Sequence, residues 1–128
     1  MLDLSCPALA SQIPAIRGAV AEVARDLGAS DDVLVQINLA VSEAATNAVQ
    51  HAYRDRPSAE AGDVRVIVRT GYGDSLVVRV HDRGMGLAPR PDSAGLGLGL
   101  CLMTHDCARL EIRRPPGGGT EVVLHFRL

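Results

Sequence analysis

The chain has 128 residues and a formal net charge of −2, which suits one compact domain spanning 1–128 and leaves no room for a second. All 13 residues counted as Lys+Arg are arginines, so a phosphate loop ending in Gly-Lys-Ser/Thr, a eukaryotic-type kinase lysine and a Schiff-base lysine are excluded. One Phe, two Tyr and no Trp are too few flat side chains for a base-stacking platform. The slight acidic excess leaves no footprint for direct nucleic-acid or membrane binding. Cys6, Cys101 and Cys107 are odd in number and widely spaced, which fits reduced core thiols. With no apolar run of membrane-spanning length and no basic-then-apolar leader, the expectation is a soluble cytoplasmic protein.

In chain order, residues 1–4 predict a short edge strand broken at Cys6-Pro7. From Ile13 the apolar positions Ile16, Ala19, Val20, Val23, Ala24 and Leu27 recur at three and four, which predicts a helix closed by Gly28. Ser30 or Asp31 caps a second helix running to about Tyr53. Residues 54–63 predict a loop. Two valine-rich strands, 64–70 and 76–82, flank a glycine-containing turn and form a hairpin. The glycine-dense stretch from Gly84 to Gly99 leads into a short helix near 98–106, and strands near 108–114 and 120–128 end the chain. This order predicts an α+β two-layer sandwich, with helices on one face of a mainly antiparallel mixed sheet.

Four local patterns can carry chemistry. Glu43, Asn47 and His51 are spaced by four on the second helix, so they share one stripe. The stripe fits an ordinary solvated face. It also fits a carboxylate acting as general base beside an amide oxygen that ligates magnesium. Asp82-Arg83-Gly84-Met85-Gly86 ends a strand, where a carboxylate can accept from an exocyclic amine and glycines allow close backbone approach. A plain turn gives the same pattern. Gly95, Gly97 and Gly99 alternate with leucines before a helix, presenting amide N–H groups and a helix terminus to an anion without any lysine. A Rossmann fingerprint does not fit there, since no parallel β-α-β unit surrounds it. Gly117-Gly118-Gly119-Thr120 predicts a hairpin turn first, with Thr120 a candidate for a nucleotide pocket that spacing alone does not show.

Taken in order, these motifs resemble the GHKL, or Bergerat-fold, ATP-binding superfamily of gyrase, Hsp90, histidine kinases and MutL. Within it, the segment from Ile37 to Tyr53 is similar to the N-box of the small bacterial anti-sigma-factor serine kinases. The resemblance covers nearly the whole chain. It implies ATP bound with Mg2+, Glu43 as the catalytic base, Asn47 as the magnesium ligand, and His51 as a supporting member of the same box. It further implies Asp82 as the adenine-recognising carboxylate, Gly84 and Gly86 shaping the purine pocket, and Gly95, Gly97 and Gly99 along the phosphates. Arg17 matches a partner-facing arginine of the first helix. The implied function is an anti-sigma factor that binds a sigma factor and phosphorylates a serine of an anti-anti-sigma (STAS-type) partner, as a homodimer.

One departure bears on this expectation. Only the eight residues Leu87 to Ala94 separate Gly86 from Gly95, where sporulation-type members carry a much longer lid. A short lid excludes water less well, so a nucleotide-dependent binding module with little or no phosphotransfer stands as the alternative. A histidine-kinase catalytic half is a third reading. It lacks a preceding helix with a phosphoacceptor histidine.

Overall fold

The computed structural model describes residues 1–52, 62–83 and 109–128, with residues 51 and 52 described by backbone alone. The expected helix near 98–106, most of the 54–63 loop, and Cys101 and Cys107 lie outside the described residues.

Helix α1 (Ile13–Asp26) starts with Pro14 in its first turn and buries Ile16, Val20, Ala21 and Ala24, the three-and-four spacing that one helical face requires. It closes in a Schellman arrangement. Gly28, at φ 90°, donates its N–H to the Arg25 carbonyl at 2.9 Å, and Ala29 donates to Ala24 at 3.0 Å. Ser30 then caps helix α2 (Asp31–Asn47), its Oγ accepting from the Val33 N–H at 3.3 Å. Asp31 and Asp32 lie in the first turn, favourable against the positive end of the helix dipole. The α-helix ends at Asn47 and widens into a π-helical turn, Ala48–Ala52.

Five strands form one sheet: β1 (Leu2–Pro7), β2 (Asp63–Thr70), β3 (Ser75–Asp82), β4 (Arg109–Arg113) and β5 (Thr120–Arg127). Their order is β1-β2-β3-β5-β4, and every pairing among the described strands is antiparallel. Strand β1 is an edge, as expected, but it runs through Cys6 and Pro7. An edge position permits this, because the missing proline N–H can face away from the neighbouring strand.

Alternation along the strands decides which face is covered. Val64, Val66 and Val68 of β2, Leu76, Val78 and Val80 of β3, and Val122, Leu124 and Phe126 of β5 are all buried, and they join the inner faces of α1 and α2 in one core. Each such side chain gains about 1.5–3 kcal/mol on leaving water. The two-layer α+β sandwich is therefore the observed architecture. Helix α2 packs on β3 and β5, and the π turn packs on β3. No helix among the described residues is long and apolar enough to cross a membrane. Cys6 is free and half-buried, and burial pushes its thiol pKa up, aided by nearby Asp63.

Candidate functional site

Helix α2 carries an apolar inner face broken by one amide. Asn47 is only 3% exposed, and its Nδ2 has no hydrogen-bond partner among the described residues. Asn38 Oδ1, Ser42 Oγ and His125 Nε2 are likewise buried atoms without a hydrogen bond among the described residues, but they belong to partly exposed side chains, and His125 Nε2 stands 3.7 Å from Glu111 Oε1. Leaving a buried amide unsatisfied costs about 1–3 kcal/mol, so Asn47 is not explained by folding. The solvated-face account of the stripe fails at this residue. The orphaned end of the amide is chemically suited to a ligand, and a half-turn about χ2 exchanges its oxygen and nitrogen. Glu43 lies one turn earlier and is half-buried. His51 falls in the π turn, and its side chain lies outside the described residues. π-Helical turns are frequent where a helix serves a functional site, and nothing in the sequence signals this one.

The sheet supplies a second pair of polar groups on the helix-covered face. Asp82 closes β3 and is 2% exposed; Thr120 opens β5 and is fully buried. They stand opposite each other in the β3–β5 register, with Val64 opposite Asp82 on the other side. Neither polar residue is without a partner. A carboxylate flanked by a hydroxyl and an aliphatic wall can take a group bearing hydrogen-bond donors on an otherwise apolar plane.

The structure thus pairs Asp82 with Thr120 and sets Glu43 and Asn47 one turn apart on α2, in the layer facing that sheet. Arg17 is exposed on α1, apart from this buried set. Gly84, Gly86, Gly95, Gly97, Gly99 and the short connection from Leu87 to Ala94 lie outside the described residues. Among the described residues no group of three or more His, Cys, Asp or Glu is placed to hold a metal. An ion bound at Asn47 would take its other ligands from phosphate and water, the usual state of magnesium.

A separate open depression of about 350 Å³ is lined by His81, Arg83, Pro115, Gly117 and Gly118. His81 alternates with Asp82 along β3, so the two side chains leave opposite faces of the sheet. This depression shares no lining residue with the Asn47–Asp82 set.

A family model described as the histidine kinase-like ATPase domain matches residues 6–126. The chain belongs to the histidine kinase-like ATPase family. It is 32% identical to serine-protein kinase RsbW of Bacillus licheniformis, covering 87% of this chain and 78% of the relative. It is 34% identical to the anti-sigma F factor of Pasteuria penetrans, covering 83% and 76%. The histidine kinase domain of Erythrobacter litoralis EL346 superposes with a TM-score of 0.61 at 27% identity, covering 91% of this chain and 61% of that one. The RsbU and RsbW domains of Rv1364c from Mycobacterium tuberculosis superpose over all of this chain with a TM-score of 0.74. At 23% identity that likeness shows the fold, and this chain spans 33% of the mycobacterial one.

Of the residues singled out by the sequence patterns, Asn47, Asp82 and Thr120 are buried. Gly119 entered those patterns only as part of a hairpin turn; its φ is 82° and its backbone lies against Asp82 and Arg83. The only available signal was the glycine run before Thr120, which any hairpin turn explains.

Proposed function

We propose that this chain binds ATP with magnesium and transfers the γ-phosphoryl group to a serine of an anti-anti-sigma protein, while sequestering a sigma factor. The observation that carries the reading is the orphaned, buried amide of Asn47 one turn from Glu43, in the layer facing the Asp82–Thr120 pair. The names of the relatives, a serine-protein kinase and an anti-sigma factor, support the same chemistry.

Asp82 accepts a hydrogen bond from the adenine exocyclic amine, with Thr120 beside it and Val64 walling the ring. Asn47 is the residue that would hold Mg2+, and a bound ion would supply positive charge against the phosphates. Glu43 takes the proton from the incoming serine hydroxyl. The serine oxygen then bonds to the γ-phosphorus, the bond to the β-phosphate oxygen breaks, and ADP leaves. Arginines supply the remaining positive potential, since the chain has no lysine. Arg17, exposed on α1, contacts the sigma factor, and the chain works as a cytoplasmic homodimer.

A second reading is favoured by the short connection between Gly86 and Gly95: a nucleotide-dependent binding module that transfers phosphate slowly or not at all. One experiment separates the two. The chain is incubated with ATP, magnesium and its anti-anti-sigma partner, serine phosphate is followed by mass spectrometry, and ATP affinity is measured by calorimetry. Glu43→Ala is expected to keep ATP affinity within about threefold and to slow transfer by about 10²–10⁴-fold, the usual worth of a general base. A wild-type chain that binds ATP without transferring phosphate establishes the binding module. Transfer by Glu43→Ala at the wild-type rate rejects the role given to Glu43.

A further inference from the structure

The three glycines between β4 and β5 have different surroundings. A Cβ added at Gly117 meets nothing within 4 Å, and its φ is not positive. Gly118 has φ 92°, and there too a Cβ meets nothing. Gly119 has φ 82°, and a Cβ there would overlap the Asp82 carbonyl oxygen while standing 2.7 Å from Arg83 Cα and 2.8 Å from the Asp82 carbonyl carbon. These are backbone atoms in the sheet, so no side-chain rotation relieves the clash. The next residue, Thr120, takes its place opposite Asp82 in register.

We infer that Gly119 is a positioning residue for nucleotide selection. Its bare backbone lets β5 enter the sheet flush against the end of β3, and this contact fixes where the Asp82 carboxylate stands. The inference rests on the reading of Asp82 as the group that accepts from the adenine amine. A carboxylate at that place favours adenine, which offers a donor, and opposes guanine, which offers a carbonyl oxygen. Shifting the Asp82–Arg83 backbone by a fraction of an ångström degrades that choice before it degrades the fold. A site built to hydrogen-bond one ligand group discriminates against an analogue lacking it only while that alignment holds.

The test compares Gly119→Ala with Gly118→Ala, measuring affinity for ATP and for GTP by calorimetry and the unfolding midpoint by circular dichroism. Both variants force alanine into a left-handed conformation, so both are expected to lower the midpoint. Only Gly119→Ala touches Asp82. It is expected to weaken ATP binding by about tenfold or more and to lower the ATP-to-GTP affinity ratio by about tenfold. Gly118→Ala is expected to hold both within about twofold. A second variant with one extra glycine between Gly117 and Gly118 adds no side chain and so avoids the clash, while its slack turn loosens the Gly119–Asp82 contact. The ratio is expected to fall there too. Equal losses in the two alanine variants with an unchanged ratio, or a wild-type ratio in both Gly119→Ala and the lengthened turn, overturn the inference. A wild-type chain that binds ATP and GTP equally rejects the adenine reading of Asp82 itself, and the inference falls with it.

Discussion

Asn47 shows how a residue can be placed against the interest of stability. Its amide is buried at the end of an alanine-rich helix with one polar end unpaired, a cost that selection for folding alone removes easily. Replacing it by alanine takes away the orphaned group and leaves a small, helix-favouring side chain. Asn47→Ala is therefore expected to unfold at the same temperature as wild type or a higher one, measured by circular dichroism. Its ATP affinity is expected to lose the magnesium dependence of the wild-type chain, measured by calorimetry with and without the ion. A lower unfolding temperature together with unchanged magnesium dependence identifies Asn47 as an ordinary core amide.

At the scale of elements, α2 supplies Glu43 and Asn47, and its start is set by Ser30. The Ser30 Oγ to Val33 N–H bond is long at 3.3 Å, so Ser30→Ala is expected to cost about 0.5–1 kcal/mol, the low end for an N-cap. That lowers the unfolding midpoint by a few degrees. ATP affinity well below the midpoint is expected to stay at the wild-type value, because the cap is more than three turns from Asn47. The break between the helices was legible because local chemistry sets it: Gly28 ends α1, and the start of α2 was narrowed to Ser30 or Asp31, of which Ser30 is the cap. The hairpins were legible from valine alternation broken by glycine. Features set by the assembled sheet were not. Pro7 inside β1 depends on an edge position that only the assembled sheet defines. The Asp82–Thr120 pairing depends on the register of strands 38 residues apart in the chain, and the Gly119 contact depends on that pairing.

Across the whole molecule, neutralised charge gathers at the two edges of the sheet, on the face away from the helices. At one edge Arg65 holds Asp3, with Nε to Oδ1 at 2.9 Å and Nη2 to Oδ2 at 2.6 Å, tying β1 to β2. At the other, Glu111 of β4 takes Arg113 at 2.6 Å and Arg109 at 2.9 Å, with His125 of β5 at 3.7 Å. Charged edges discourage pairing with the edge of another molecule. The Arg65 hydrogen bond holds the Asp3 carboxyl below its ordinary value. The Arg113 hydrogen bond, with Arg109 and His125, does the same for Glu111. A carboxyl whose pKa is lower folded than unfolded adds stability above the unfolded value, near 3.8 for Asp3 and 4.5 for Glu111. That stability is lost as pH falls through the folded value. Both sets of charges lie at the solvent-facing side of the sheet, so the effect is small. The wild-type unfolding midpoint is therefore expected to fall more steeply between pH 5 and 3 than that of Asp3→Asn combined with Glu111→Gln. The two chains should converge at the acid end, where protonation has removed the same interactions from the wild type. Parallel midpoint curves across this range, measured by circular dichroism at low salt, place the acid sensitivity elsewhere in the molecule.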